Sequence, residues 1–199
     1  GREDVFPRRF QSTKTGKSGY QPCCRNEWIK GVCRKPRIKC HDCDSRDFVP
    51  VADDVIKSHL LGRDMSLKRS QRDYTVGVYP LLPDETCWFL AIDFDKEGWM
   101  EDVTAYMQTC NTYGVPAAVE RSRSGNGCHV WIFFSDPIPA GQARQLGAFI
   151  LTEAMEQRPE IGFDSYDRFF PSQDTIPRGG FGNLIALPLQ KKPRENGNT

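Results

Sequence analysis

Asp93 and Asp95 in "FLAIDFDKEG" have the type and spacing for metal-assisted chemistry. Strand periodicity of two puts both carboxylates on one face, their Cα atoms roughly 7 Å apart, while Phe94 turns to the other side. Burying two carboxylates without a cation is costly. A pair of hard oxygen ligands can hold two Mg²⁺ or Mn²⁺ ions ~3.5–4 Å apart, the arrangement that clamps the attacking and leaving oxygens in phosphoryl transfer. The plainer alternative is a solvated strand end before the turn "KEGW".

A second constellation lies downstream in "ERSRSGNGCHVWIFF", residues 120–134. Ser124, Gly125, Asn126 and Gly127 suit an ordinary β-hairpin turn, because Gly and Asn accept positive φ. The same glycines let backbone N–H groups approach an anion, Ser124 offers a hydroxyl, and His129 can donate to a phosphate oxygen. Arg121 and Arg123 add positive charge beside them. Alone, the turn reads as a hairpin; coupled to the paired acids upstream, it reads as a phosphate site.

Five of the eight cysteines fall between Cys23 and Cys43. Cys24, Cys33, Cys40 and Cys43 can satisfy a tetrahedral Zn²⁺, and the two-residue gap in Cys40–Cys43 is the turn that points two sulfurs at one ion. Cys23 and His41 are the rival ligands. Clustering without a secretion signal favours a metal site over a disulfide framework, with incidental reduced thiols as the alternative. Arg25, Lys30, Arg34, Lys35, Arg37 and Lys39 are interleaved, so this structural zinc lobe is either a nucleic-acid contact or a staple with solvated lysines.

The elements that must position these groups follow from periodicity. Residues 1–20 are polar and basic with nothing periodic to bury, and partial order is expected. Residues 21–50 form the zinc knuckle. "VADDVIKSHLLG" has helical spacing through Val51, Val55, Ile56, His59 and Leu60, with Gly62 as the stop, and 64–72 is a basic loop. "YTVGVYP" and "CWFLAIDFD" read as strands joined by "LLPDET". A helix follows with Trp99, Val103, Tyr106, Met107, Cys110 and Tyr113 on one face, ended by Gly114 and Pro116. "VPAAVE" is a short strand. "HVWIFF", apolar on both faces, is an interior one. "PAGQARQLGAFILTEAME" gives a helix with Ala143, Leu146, Ile150, Leu151 and Ala154 inward, and a final strand runs near Leu184–Leu189. The order β, α, β, β, α predicts an α+β fold: a split βαβ, RRM-like sheet with helices on one face.

At 199 residues, one main domain over 51–192 plus the small lobe is expected. The charged fraction of 27% and net charge of +1 exclude a basic tail or membrane-surface binder as the main class, and confine any nucleic-acid surface to local patches. No apolar run approaches the ~20 residues of a membrane span. The start at Gly1 and the polar string "KKPRENGNT" lead us to expect a domain excised from a longer cytoplasmic protein, with 193–199 as a linker.

"AIDFD", "RSRSGNGCHVWIFF" and "YDRFFPSQD", in this order, resemble the three motifs of the archaeo-eukaryotic primase superfamily. "CCRNEWIKGVCRKPRIKCHDC", "GVYPLLPDETCWFLAIDFDKEGW" and "RPEIGFDSYDRFFPSQDTIPRGGFGNLIALPLQ" resemble more closely the primase-polymerase domain of TOTE conflict systems, akin to CRISPR-associated primase-polymerases, over residues 20–192. The resemblance implies a DNA primase-polymerase that joins dNTPs or NTPs on a DNA template with a DNA or RNA primer. It also implies two Mg²⁺ or Mn²⁺ ions, a structural Zn²⁺, and a helicase or nuclease domain in the same polypeptide or system. Asp93 and Asp95 would be metal ligands, while Ser124 and His129 would hold the triphosphate, His129 binding phosphate rather than acting as the base. Asp167 would be the third acid, with Asp164 the alternative. Arg168, Gln173, Arg178 and Asn183 would contact sugar or phosphate, or else satisfy loop backbone. Two other classes compete: a metal-dependent nuclease, and a non-catalytic single-strand-binding module. The latter requires exposed stacking aromatics on the sheet, where the sequence offers paired acids.

Overall fold

A computed structural model describes residues 1–65, 73–95, 97–161 and 168–198. The fold is α+β, built on a four-stranded antiparallel sheet of β4 (Thr86–Phe94), β5 (Ala118–Arg121), β6 (Cys128–Pro139) and β7 (Arg168–Phe170) in the order β5-β6-β4-β7. Helix α2 (Trp99–Thr112) connects β4 to β5, and α3 (Ala140–Gln157) follows β6.

Both helices lie on one face because alternation sends Leu90, Ile92 and Phe94 of β4, with Cys128, Val130 and Ile132 of β6, to the same side. There they meet Val103, Tyr106 and Cys110 of α2 and Ala143, Ile150, Leu151 and Ala154 of α3. The expected inner stripes hold, with one exception: Tyr113 is 48% exposed and packs edge-on against Phe149. β6 is interior, flanked by β4 and β5, as its two apolar faces require. The β4–β6 register shifts between Cys87 and Phe89. As a result Cys87 and Leu90 both face the helices, whereas Phe89 and Ala91 face the other side.

That second side is where structure and expectation part. The strand expected from "YTVGVYP" is short: β3 (Gly77–Val78) pairs with β8 (Ile185–Ala186), outside the central sheet. A Cβ on Gly77 would lie 2.6 Å from the Ile185 carbonyl oxygen, so glycine is what lets the two backbones approach. Residues 1–20 form no loose segment. β1 (Pro7–Gln11) and β2 (Ser18–Pro22) make an antiparallel hairpin, anchored by Val5 and Phe6 at 0% and 1% exposure. Two apolar residues carry no periodicity to detect, yet Phe6 fills a core with Val55, Tyr74 and Val76, and Val5 a second one with Tyr79 and Phe181. The polar C-terminal string likewise adds a helix, α4 (Lys191–Glu195), with Pro193 buried.

Helix α1 (Asp53–Leu61) stops where expected, at Gly62 with φ +63°. Its His59 is 1% exposed, accepts the Val76 N–H at Nδ1 (3.1 Å), and reaches the Pro188 carbonyl from Nε2 (2.8 Å). Among the described residues no helix is long and apolar enough to cross a membrane.

Candidate active site

The face of the sheet turned away from α2 and α3 carries a transverse row of polar side chains. Glu120 on β5 pairs in register with His129 on β6, His129 with Asp93 on β4, and Asp93 with Arg168 on β7. Asp95 follows at the exposed end of β4. Asp93 and His129 are shielded, with 17% and 14% of their side chains exposed and 3.7 Å between Oδ1 and Nε2. The row exists because each member occupies the same side of its own strand.

An open cavity of about 540 Å³ lies over this row. Asp93, Asp95 and His129 line one part of it; Arg9, Arg123, Lys192, Ser122 and Ser124 line the rest, with Pro193 and Asn196. Carboxylates for cations and cations for phosphates therefore share one space. Asp73 sets part of the basic wall: its Oδ2 takes Arg9 Nη1 at 3.1 Å and also Arg123 Nη2. Arg123 is further held by Gln190 Oε1 and by Thr75 Oγ1.

The glycine turn adopts its hairpin role first. Ser122 N–H donates to the Gly127 carbonyl (2.9 Å), Gly125 N–H to the Ser122 carbonyl (2.9 Å), and Asn126 N–H to Ser124 Oγ (3.2 Å). Arg121 Nε closes onto the Gly125 carbonyl at 3.0 Å. The N–H groups of Gly125 and Asn126, candidates for an anion cradle, are spent inside the turn, and Gly125, Asn126 and Gly127 shape the wall that Ser122, Arg123 and Ser124 present. Cys128, fully buried beneath, has its thiol pushed up to about 12 by burial, with Asp93 and Glu120 adding to the shift. It is a thiol there, not a nucleophilic thiolate.

Of the remaining sequence candidates, Asp167 and Asp164 lie outside the described residues. Arg168 is exposed on β7, in register with Asp93. Gln173 donates to the Thr175 carbonyl (3.0 Å), and Asn183 accepts the Ser172 N–H (3.2 Å) while donating to the Phe169 carbonyl (3.0 Å). These two satisfy loop backbone, and neither they nor the exposed Arg178 line the cavity. Sequence reasoning missed Arg9, Ser122, Lys192 and Glu120. Arg9 and Lys192 come from the two ends, where no hydrophobic period marks them; Glu120 and Ser122 sat beside the quoted turn and carried the better signal.

The expected exclusion between acids and stacking aromatics does not hold. Trp131 and Phe133 follow His129 on the same side of β6, their ring planes 7° apart and centroids 6.0 Å apart. Phe133 is 65% and Trp88 42% exposed, and with Phe89, Val119 and Leu189 they line a separate apolar hollow. Alternation put both chemistries on one face.

Cys24, Cys33, Cys40 and Cys43 line one small cavity with Ile38, Lys35 and Phe48, and all are free thiols. Asp47 N–H donates to Cys24 Sγ at 3.4 Å. Cys23 turns away to pack with Phe6, Val55 and Tyr74, and His41 sits edge-on to Phe181. Four sulfur donors around one space fit Zn²⁺ by type, although among the described residues no three His, Cys, Asp or Glu side chains are gathered closely enough to hold a metal ion. Lys35 is engaged by Glu27 at 2.8 Å and Arg25 by Asp47 at 2.9 Å, while Lys30, Arg34, Arg37 and Lys39 are exposed.

No curated protein matches the chain. A family model does, from its first residue to its last: acids, serine, histidine and basic wall around one cavity, on an α+β scaffold, occur in a chain that belongs to the family of the TOTE conflict system archaeo-eukaryotic primase domain, matched over residues 1–199.

Proposed function

We propose that the chain is a primase-polymerase that transfers a nucleotidyl group from a dNTP or NTP to a primer 3′ hydroxyl on a DNA template. The observation that carries this reading is the single cavity in which Asp93, Asp95 and His129 face Arg9, Arg123, Lys192 and Ser124. The chain order β, α, β, β, α, β with β4 and β6 central supports an RRM-like split βαβ sheet.

Asp93 and Asp95 would hold Mg²⁺ or Mn²⁺, joined by Asp167. When bound, two such ions supply charge neutralisation on the triphosphate and activation of the attacking hydroxyl. Arg9, Arg123 and Lys192 bind the triphosphate, with Arg123 preorganised by Asp73 and Gln190 so that little side-chain entropy is lost on binding. Ser124 and Ser122 offer hydroxyl donors, and His129 Nε2 faces the same space. The primer hydroxyl attacks the α-phosphorus as pyrophosphate leaves, so electrostatic positioning rather than a dedicated base supplies most of the rate. Cys24, Cys33, Cys40 and Cys43 would hold a structural Zn²⁺. A helicase or nuclease domain would act with this one within a conflict system.

Replacing both Asp93 and Asp95 with Ala is expected to abolish incorporation on a primed template with Mn²⁺ and dNTPs; retained extension would remove the metal assignment. A second reading has its own support in the exposed Trp88 and Phe133: a single-strand-binding module that stacks bases without chemistry. Labelled template with dNTPs and Mn²⁺ separates the readings, since extension supports a polymerase, an unchanged strand the binding module, and shortening a nuclease.

A further inference from the structure

Glu120 lines the apolar hollow rather than the cavity over Asp93 and Asp95, yet it contacts the histidine that lines that cavity. Its Oε2 lies 3.1 Å from His129 Nδ1 and 3.1 Å from Trp131 Nε1. Only 13% of its side chain is exposed. A carboxylate sheltered to that degree is costly unless donors meet it, and both donors come from β6, two residues apart, because Glu120 stands in register with His129.

The indole settles the direction of one bond, and the direction of the other follows if Glu120 is ionised. An indole N–H can only donate, so the shared oxygen is an acceptor, and an ionised carboxylate satisfies both contacts at once. His129 Nδ1 then carries the proton. Nε2, on the far side of the ring, is left pointing toward Asp93 Oδ1 at 3.7 Å, beyond hydrogen-bond reach and open to the cavity. Trp131 bonds the same oxygen from its own position on β6 and restrains the carboxylate from swinging away.

We propose that Glu120 is a positioning residue for His129: by holding the Nδ1–H it fixes the ring's orientation, so that Nε2 is the atom turned to the cavity, where the imidazolium form donates to a phosphate of an incoming nucleotide. What Nε2 meets rests on the primase-polymerase reading; that Glu120 holds the ring does not. This is the logic by which a partner behind a functional imidazole decides which nitrogen faces the ligand.

Two measurements test it separately. Long-range ¹H–¹⁵N correlation spectra of the ¹⁵N-histidine-labelled protein, at a pH where the ring is neutral and with His129 assigned by loss of its signals in His129→Gln, are expected to show the proton on Nδ1. Glu120→Gln is expected to mix the tautomers and to shift the Trp131 indole resonance. A bare Nδ1 in the unmutated protein, or His129 signals unmoved in Glu120→Gln, would overturn the proposal without any enzymology. In primer extension, Glu120→Gln is expected to raise the KM for dNTP roughly tenfold with a smaller change in kcat. The double variant Glu120→Gln/His129→Ala should be no worse than His129→Ala alone. Multiplicative losses in the double variant, or an unchanged KM in Glu120→Gln, would also overturn it. If the unmutated protein neither binds nor incorporates nucleotides, the primase reading falls, and the tautomer measurement still decides the role of Glu120.

Discussion

Gly127 sits where the hairpin turn crosses the end of β4, and a Cβ there would lie 2.5 Å from the Phe94 carbonyl oxygen and 3.0 Å from the Asp95 Cα. Neither neighbour can give way cheaply, because Phe94 is fully buried and Asp95 is the second acid. Gly127→Ala is therefore expected to cost about 2 kcal/mol of stability and to shift Asp95 within the cavity it lines. Denaturant melts together with Mn²⁺-dependent extension would show both losses, and a variant with unchanged stability would contradict the close approach. Much was legible at this scale. The acids at 93 and 95, Ser124 and His129 were named from type and spacing, and they share one cavity. Glu120 was not named, because its role depends on strand register, which a single run of residues does not reveal. Gln173 and Asn183 had the right chemistry but are consumed by neighbouring backbone.

Among the elements, α1 shows how a buried polar group can report on packing. His59 joins α1 to the β3 approach through Val76 N–H and to the C-terminal segment through the Pro188 carbonyl. Burial lowers the imidazole below its ordinary value of 6.5, with the Pro188 bond opposing. The unfolded chain therefore takes up the proton more readily, so the stability tied to neutral His59 is present above about pH 6.5 and lost as pH falls below it. Urea midpoints at about pH 7.5 and about pH 5.5 should differ more in the native sequence than in His59→Gln; an equal difference would remove His59 as the source. Helices α2 and α3 and strands β4 and β6 were legible because each buries a long apolar face of one period. β3 and β8 were expected as strands, but their pairing in a separate sheet was not legible: two residues each, they meet across more than a hundred positions, and their contact depends on Gly77. The β1–β2 hairpin was missed for a related reason, since its anchors Val5 and Phe6 precede it rather than alternate within it.

For the molecule as a whole, near-neutral net charge conceals a sorted surface: acids on the β4 end, cations on the β1 hairpin, the turn and α4, all around one cavity. The sorting was invisible in sequence because Arg9 and Lys192 are separated by nearly the whole chain. The four cysteines that line one small cavity were named from spacing, whereas the packing of Cys23 with Phe6 and Tyr74 could not be read from it. About one zinc per chain is expected by atomic emission, and a chelator that strips it should lower the melting temperature; metal-free protein melting unchanged would leave the thiols as packing groups. The transverse row Glu120, His129, Asp93, Arg168 has a further consequence. Because side chains alternate across a sheet, sliding β6 by one position would turn His129 and Trp131 into the helical core and bring Cys128 and Val130 out in their place. A misregistered sheet would thus have no weakened version of the site but none at all, so the row is an all-or-none readout of strand alignment.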